Sequence, residues 1–354
     1  MCTNFKAPVA EDGTVVVGRS LDYPATLGFQ LCVIPKGIQR IALADEGAAA
    51  TKSWSTKHGV VGLSVSGADT AIIDGMNDAG LSAHLLYMVG GFFHAADFRG
   101  DGTDVSQIEL ASYLLSTCAT IDEVRAALGE TNVWGWNAGM PFIPPVHVLV
   151  HDRNGSAAIE FRPEGVMVID NPTGVGTNSP YLEWHLLNLN NYVGFSAENP
   201  EGQRVRPRVG GIDIRPLGVG WGLHGLPGDY TGPSRFVRAV ALLTLATTPK
   251  DAREAEMLTL HVLNTFDVPA GVVREPGPGH TTVDEVTYAD TIANLTDLRY
   301  SYRALDDPAV YVIDLTQTDF TSDAPRFRDL SATGDFQPIT ISAPPPPGAG
   351  QPDR

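Results

Sequence analysis

The sequence predicts an α+β fold of two antiparallel sheets with pairs of helices packed on the outside. Two observations indicate it. Predicted strands and helices occur in blocks, in the order strands, helices, strands, helices, strands, and the regular strand–helix alternation of a parallel doubly wound sheet is absent. With 354 residues, 43% of them hydrophobic, the chain can bury a large core. It has no internal repeat and no evident linker, so we predict one domain over residues 1–335.

The first 23 residues predict a β-hairpin. The extended segments CTNFKAPV and TVVVGRSLDY are joined through a turn signal at Asp12-Gly13. With that turn, Cys2 is expected to lie opposite the region of Asp22 and Tyr23. Because Arg19 and Asp22 have opposite parity along a regular strand, a bend or bulge is needed if both are to point at Cys2.

The middle of the chain predicts strands, then helices, then strands. HGVVGLSVSG and LSAHLLYMV read as strands separated by a Gly- and Asp-rich link that contains DGMNDAG. Two helices follow within 104–129, where apolar residues recur at helical spacing and Thr120 to Glu123 forms a capping box. Strands return over 146–178 as VHVLVHD, SAAIEF and VMVID.

The last third predicts a glycine-rich connection, two helices, further strands and a tail. Their ranges are 202–233 for the connection, 234–247 and 250–264 for the helices, and 298–304 and 309–315 for strands. Residues 336–354 contain APPPPGAGQPDR and predict a disordered, Pro-rich tail.

Composition excludes several classes of partner. A net charge of -17 repels phosphate backbones and anionic lipid, so neither nucleic acid nor a membrane is an expected partner. The three cysteines form no CxxC or Cys/His cluster, which fits a reducing compartment without structural zinc. The N-terminus lacks a signal-peptide pattern and the apolar runs are too short to span a bilayer, so we expect a cytoplasmic protein.

Three further sequence features were weighed for a nucleotide site, a metal site and a serine nucleophile, and none supports such a site. GWGLHG matches G-x-G-x-x-G, but the following Leu-Pro-Gly indicates a loop rather than the helix that a dinucleotide site needs. His147 and His151 lie on a predicted strand, about 13 Å apart at about 3.3 Å per residue, too far to share an ion. The G-x-S-x-G motif of serine hydrolases is absent. No cofactor or metal is therefore predicted.

Cys2 has two interpretations. It is a small buried residue on the first strand, the usual situation of a cysteine, or it is the mature N-terminus. Methionine removal is expected before a small residue, and Cys2 then carries a thiol and a free α-amine together.

Five segments resemble the choloylglycine hydrolase family, which contains conjugated bile salt hydrolases and penicillin V acylases. They are MCTNF, GRSLD, DGMNDAGL, TNSPYLEWHLLNLNNYVG and LPGDYTGPSRFVRA, in order from residue 2 to about 245. The resemblance implies an N-terminal nucleophile hydrolase with a four-layer αββα sandwich, often a homotetramer. It implies hydrolysis of a linear amide in a small acyl substrate, without a cofactor.

The resemblance also implies roles for six residues. They are the nucleophile Cys2, the R-x-x-D pair Arg19 and Asp22, the oxyanion donor Asn178, the supporting Arg235, and Tyr87, whose backbone N–H completes the oxyanion hole. Simpler interpretations stand beside these roles: a surface ion pair for Arg19 and Asp22, a turn residue for Asn178, a helix-start surface residue for Arg235 and a core residue for Tyr87.

These residue types suit attack on an amide. The Cys2 α-amine, with a reference pKa of about 7.7–8.0, is a base near neutral pH. Arg19 is expected to stabilise the thiolate and Asp22 to hold the α-amine. Asn178 and the Tyr87 N–H are expected to bind the oxyanion.

The sequence alone does not identify the substrate. Bile salt hydrolases tend to carry Asn at the position of Tyr87 and penicillin V acylases an aromatic residue, which favours penicillin V or another aryl- or fatty-acyl amide. Two segments resemble the bile salt hydrolases more closely than the penicillin V acylases, namely EWHLLNLNNYVG and LPGDYTGPSRF. The segment 202–227 resembles the assembly loop of tetrameric members of the family. An N-acyl homoserine lactone is a third substrate, and a catalytically silent binding protein is the non-enzyme alternative. The acyl pocket is expected to be built from loops around 22–30, 58–70 and 130–145.

Overall fold

Two antiparallel sheets form the centre of the protein. The computed structural model describes residues 1–23, 28–44, 50–65, 68, 71–137, 139–200, 216–276 and 281–330. Sheet A contains β1 (Cys2–Lys6), β2 (Val16–Tyr23), β14 (Val175–Gly176), β15 (Val273–Pro276), β16 (Thr282–Asn294), β17 (Arg299–Ala304) and β18 (Asp307–Asp314). Sheet B contains β3 (Phe29–Ile34), β6 (Val60–Val65), β7 (Ile72–Asn77), β8 (Ser82–Tyr87), β11 (Val146–His151), β12 (Ser156–Arg162), β13 (Gly165–Asp170) and β19 (Arg326–Asp329).

The strand order places the N-terminus in the interior of sheet A. Its order is β14-β1-β2-β16-β17-β18, with β15 on the end of β16, and the order of sheet B is β13-β12-β11-β8-β7-β6-β3-β19. Two small ribbons lie apart from them, β4 (Gln39–Ile41) with β5 (Ser53–Ser55) and β9 (Asp104–Ser106) with β10 (Asn132–Trp134).

Helices cover the outer face of each sheet. The described helices are α1 (Leu110–Thr117), α2 (Ile121–Gly129), α3 (Leu182–Asn188), α4 (Gly232–Leu245) and α5 (Ala252–Leu263). On sheet A, α4 contacts β1 and α5 contacts β2 and β16; on sheet B, α1 contacts β7 and β8, and α2 buries Ile121 and Val124 in the core. The predicted four-layer αββα sandwich is confirmed, and so is the Thr120 cap, whose hydroxyl accepts from the Glu123 N–H.

Both faces of β1 and β2 are buried, which decides how the site is assembled. Sheet B packs on one face of these strands and α4 and α5 on the other, so Arg19 and Asp22 are both fully buried although they point in opposite directions. Strands buried on two sides carry runs of apolar residues rather than a strict alternation.

The hairpin register differs from the prediction. Cys2 pairs with Leu21 rather than with Asp22 or Tyr23, and Asn4 pairs with Arg19. The loop is longer than a two-residue turn, because the Ala10 N–H donates to the Thr14 carbonyl. Gly13 has a φ of 87°, a left-handed conformation that favours glycine.

Three elements at the site were not predicted. DGMN belongs to β7 rather than to a link, α3 follows the TNSPY segment, and β16 is a 13-residue strand.

The predicted disordered tail, 336–354, lies outside the described residues, as do 201–215 of the assembly-loop segment. A single domain over 1–335 and the homotetramer both stay predictions. No helix in the described part of the chain has the length and apolarity needed to cross a bilayer.

Candidate active site

Cys2 and Arg19 meet between the two sheets. The Cys2 side chain is 3% exposed, and Arg19 Nη2 lies 3.3 Å from its Sγ. Arg19 extends from sheet A to sheet B, where it donates to the carbonyls of Ile73 at 2.5 Å and Leu85 at 2.6 Å. These bonds hold a fixed cation against the sulfur.

Asp74 is the ionic partner of Arg19. Its Oδ2 lies 3.3 Å from Arg19 Nη1 and 2.5 Å from His84 Nδ1, and its Oδ1 accepts from the Tyr300 hydroxyl at 2.5 Å. Burial raises the pKa of Asp74, but His84, Arg19 and Tyr300 together outweigh burial, so this pKa lies well below its ordinary value. Asp74 therefore stays ionised and balances the buried guanidinium. The simpler alternative, a surface ion pair between Arg19 and Asp22, is wrong, because both residues are fully buried and Arg19 pairs with Asp74.

Asn178 joins the cysteine backbone to β8. Its Oδ1 accepts from the Cys2 N–H at 3.1 Å and from Arg235 Nη2, and its Nδ2 donates to the Tyr87 carbonyl at 2.6 Å. An amide nitrogen has two hydrogens. Only one Nδ2 hydrogen is used in the hydrogen bond to Tyr87, so the other is available to a substrate oxygen.

Arg235 fixes the first residues of β1 from the helix side. It lies near the start of α4, is fully buried, and donates to the Cys2 carbonyl, to Thr3 Oγ1 at 2.7 Å and to the Tyr230 carbonyl at 2.9 Å. The alternative of a surface residue is wrong for Arg235.

The Tyr87 N–H lies on the same side of β8 as Asn178. Tyr87 pairs with Val146 of β11, and the next N–H, of Met88, donates to the Pro145 carbonyl. This pattern makes Tyr87–Val146 a pair without direct hydrogen bonds, so the N–H and C=O of Tyr87 both point away from β11. The C=O meets Asn178 there, and the N–H lies beside it.

The Asp22 carboxylate does not point at the cysteine. It lies on the helix side of sheet A, where it accepts from Thr287 Oγ1 at 2.7 Å and from Ser20 Oγ at 3.3 Å. The expected irregularity is in β16 rather than β2, at a bulge between Thr287 and Ala289. The backbone carbonyl of Asp22 is the group near the site, 4.0 Å from Cys2 Sγ. Burial raises the pKa of the Asp22 carboxyl.

Met1 is present, and its ammonium is bound. It donates to the Asp22 carbonyl at 2.9 Å and to Glu285 Oε2 at 3.2 Å, and the Glu285 side chain is only 7% exposed. With Met1 attached, the Cys2 nitrogen is a peptide amide.

An apolar cavity of about 170 Å³ opens on Cys2. All three predicted loop regions contribute to its wall. The residues they supply are Tyr23, Phe29, Val65, Met140 and Pro144. Tyr87 also lines it, whereas the nearby Phe92 and Phe93 pack against Tyr181 and Phe161.

Sequence reasoning missed Asp74, His84, Tyr300 and Glu285. Asp74 is the acidic residue of the DGMN segment, and the histidine inside the apolar strand LSAHLLYMV is a signal for a buried polar network. His147 and His151 lie on β11 as predicted, and both are engaged in hydrogen bonds, to the Thr177 carbonyl and to Asn4 and Ser156.

Comparison with known proteins gives one consistent family. The family model for linear amide C–N hydrolases, choloylglycine hydrolase family, matches residues 2–330. A bile salt hydrolase/transferase from Clostridium perfringens is 30% identical over 90% of this chain and 93% of its own. A penicillin V acylase from Pectobacterium atrosepticum is 23% identical over 88% of this chain and 79% of its own. The crystal structure of a conjugated bile acid hydrolase from Clostridium perfringens, 24% identical, superposes with a TM-score of 0.82 over 96% of this chain and 100% of that one.

Proposed function

Since the chain belongs to the choloylglycine hydrolase family of linear amide C–N hydrolases, we propose that Cys2, freed of Met1, is the nucleophile that cleaves an N-acyl amide. One observation carries the proposal. Cys2 lines an apolar cavity together with Tyr87, its sulfur has a buried guanidinium at 3.3 Å, and its backbone nitrogen is bonded to Asn178, which also bonds the Tyr87 carbonyl. A buried structural cysteine needs none of these neighbours.

Acylation proceeds through the Cys2 α-amine. Its free base takes the thiol proton, and the sulfur attacks the substrate carbonyl carbon while the carbonyl π electrons move to oxygen. The oxyanion is bound by the remaining Asn178 Nδ2 hydrogen and the Tyr87 N–H. When the C–N bond breaks, the leaving nitrogen takes the proton from the α-ammonium. The acyl group is left on sulfur as a thioester.

Deacylation repeats the sequence with water. The α-amine takes a proton from water as its oxygen attacks the thioester, and the oxyanion returns to the same donors. The C–S bond then breaks and the sulfur regains its proton from the α-ammonium. Arg19, held by Asp74, stabilises the sulfur whenever it carries negative charge.

The cavity supports a compact aromatic acyl group, as in penicillin V. At about 170 Å³ it is close to the roughly 150 Å³ cavity that holds benzene in an engineered protein. Its lining includes Tyr23, Phe29 and Tyr87, and aromatic pairs favour edge-to-face contact with a further ring. A steroid nucleus is several times larger than one ring.

Bile-salt hydrolysis is the second candidate. It is favoured by the 30% identity to a bile salt hydrolase/transferase against 23% to a penicillin V acylase. Sequence identity over the whole chain reflects mainly the shared fold, whereas the residues that line the cavity contact the acyl group of the substrate. We therefore rank the aromatic acyl amide ahead of the bile salt as the substrate.

We predict that the enzyme cleaves penicillin V about two- to twelvefold faster than glycocholate. The factor corresponds to the about 0.5–1.5 kcal/mol that an aromatic contact with Tyr87 adds beyond burial. The measurement is kcat/KM for both substrates in the wild type and in Tyr87→Asn, which should lose the preference. Tyr87→Phe keeps the ring and is the matched control. Faster cleavage of glycocholate by the wild type, or an unchanged preference in Tyr87→Asn, would contradict the assignment of the acyl group.

A further inference from the structure

We propose that Gln107 is a positioning residue that holds the β10–β11 connection (135–137 and 139–145) against the acyl cavity and thereby limits the enzyme to compact acyl groups. The inference rests on the proposed function and deepens it, since it names the residue that sets the size of the acyl cavity. It concerns the acyl side of the substrate and leaves the chemistry at Cys2 unchanged.

The β10–β11 connection supplies a part of the cavity wall that lies outside the two sheets. Most of the side chains that line the cavity belong to strands of sheets A and B, whose positions are fixed by backbone hydrogen bonds to neighbouring strands. Met140 and Pro144 belong to the connection, and Ile108 lies between β9 and α1. The volume of the cavity therefore depends on how the connection is held.

Gln107 joins the two ends of the connection at one point. Its side-chain Oε1 accepts from the Trp136 N–H at 2.8 Å. Its Nε2 donates to the Trp136 carbonyl at 2.8 Å and to the Pro144 carbonyl at 3.4 Å. These contacts use the amide oxygen and give each of the two amide hydrogens an acceptor. A single side chain thus bonds both the beginning and the end of the connection.

Gln107 is itself held in place. It is fully buried, its N–H donates to the Trp134 carbonyl at 3.0 Å, and it directly follows β9, which pairs with β10 in a parallel ribbon. The next residue, Ile108, lines the cavity. Gln107 therefore links the β9–β10 ribbon, the cavity wall and the β10–β11 connection.

Apolar packing supports the same closed arrangement. Gly135 lies so close to Ile143 that a Cβ added at Gly135 would come within 2.9 Å of Ile143 Cδ1. The Gly135 N–H donates to the Ala96 carbonyl at 3.2 Å, which fixes the start of the connection. The beginning and the end of the connection are therefore in contact, as the hydrogen bonds from Gln107 require.

Loss of the Gln107 amide should loosen the cavity wall rather than the catalytic groups. The N–H and carbonyl of Trp136 and the carbonyl of Pro144 would lose their partner in a partly buried place, where an unpaired polar group is costly. The connection then gains by moving toward water, and the cavity opens at Met140 and Pro144. The strands that carry the catalytic groups make no use of these hydrogen bonds.

The test compares two glycine amides that share a leaving group and differ in the acyl group, phenoxyacetylglycine and glycocholate. Gln107→Met keeps the length and unbranched shape of the side chain and removes the amide. We expect the ratio of kcat/KM, phenoxyacetylglycine over glycocholate, to fall about tenfold relative to the wild type, which corresponds to about 1.4 kcal/mol. The change should lie in KM, with kcat for phenoxyacetylglycine within about twofold, because a looser wall weakens binding without touching the oxyanion donors.

Asn132→Ala is the matched control. Asn132 lies in β10, is 4% exposed, and donates to the Asp97 carbonyl at 2.9 Å and to Asp104 Oδ1 at 2.6 Å, both outside the connection. This variant should lower the Tm and leave the ratio of kcat/KM within about twofold. A tenfold fall in the control would show that any loosening of the β9–β10 ribbon changes the ratio, and would overturn the specific role of Gln107.

A second variant and a second measurement cover the case in which Gln107→Met does not fold. Gln107→Asn keeps the amide on a side chain one methylene shorter, and the same fall in the ratio is expected. Hydrogen exchange of the wild type, read at single residues, needs no variant. It should show the Trp136 amide protected, because this amide donates to a buried side chain.

Three results would overturn the role of Gln107 while leaving Cys2 in place. They are exchange of the wild-type Trp136 amide at the rate of an open chain, an unchanged ratio in a folded Gln107 variant, and a fall in the ratio that comes from kcat alone. If the wild type prefers glycocholate, the assignment of the acyl group fails, and the size limit with it. If the wild type cleaves neither glycine amide nor penicillin V, the proposed function itself fails.

Discussion

Cys2→Ser is expected to fold and to lose at least about 10³-fold in kcat. A hydroxyl is nearly isosteric with a thiol but far less acidic, and the α-amine is too weak a base to activate it efficiently. Removal of a nucleophile in other hydrolases costs up to about 10⁶-fold. The measurement is kcat on the preferred amide, together with circular dichroism and Tm to show that the fold is retained.

Cys118→Ser is the matched control for this variant. Cys118 is also buried, at 2% exposure, and forms no disulfide, but it lies at the end of α1 on sheet B. It should keep the wild-type kcat even if its Tm falls. Wild-type turnover by Cys2→Ser would remove Cys2 from the nucleophile role.

Asn178→Ala is expected to lower kcat by about 10²–10³-fold with a much smaller change in KM. The loss of one oxyanion donor has this effect, because the hydrogen bond from the donor to the substrate oxygen strengthens as negative charge develops on that oxygen. The variant also removes the acceptor shared by the Cys2 nitrogen and Arg235. Steady-state kinetics below the Tm of the variant give both constants.

Asn171→Ala separates catalysis from folding. Asn171 is buried, precedes β14 on the same stretch of chain as Asn178, and donates from its side chain to the carbonyl of Val175 in β14. It should lower the Tm and leave kcat per folded molecule unchanged. A loss in Asn178→Ala that is confined to KM would assign this residue to substrate binding.

The layers of the fold were predictable because they depend on local signals. The β1–β2 hairpin, the helices α1 and α2 and the strands from β11 to β13 follow from turn residues, a capping box and apolar periodicity. The predicted register of the hairpin was wrong by one to two positions at Cys2, because the loop from Ala10 to Thr14 closes with its own hydrogen bond. Sequence indicates a turn more reliably than it fixes the loop length.

Strands β7 and β16 were missed because they bury charged side chains. Asp74 in β7 is satisfied by Arg19, 55 residues earlier in the chain, and by Tyr300, 226 residues later. In β16, Asp290 is paired with Arg303 of β17. A carboxylate in a candidate strand argues against burial unless its partner is known, and these partners are supplied by tertiary structure.

The candidate site residues were identified through the resemblance to a family, and the structure shows contacts among them that differ from the expected ones. Arg19 contacts the sulfur as expected, but its ionic partner is Asp74 and not Asp22. The reason is strand parity, since Asp22 faces α4 and α5 while Arg19 faces sheet B. Glu285 had no signal in sequence, because its contact with the Met1 ammonium joins residues that are far apart in the chain.

Intact-protein mass spectrometry of the purified enzyme, before and during turnover of a phenoxyacetyl amide such as penicillin V, tests whether Cys2 is the N-terminal nucleophile. We expect a resting mass lower than that of the full sequence by one methionine residue. Acid quenching during turnover should add one phenoxyacetyl group, located by peptide mapping on Cys2. A fully active enzyme that retains Met1, or an acyl group found on a residue other than Cys2, would contradict it.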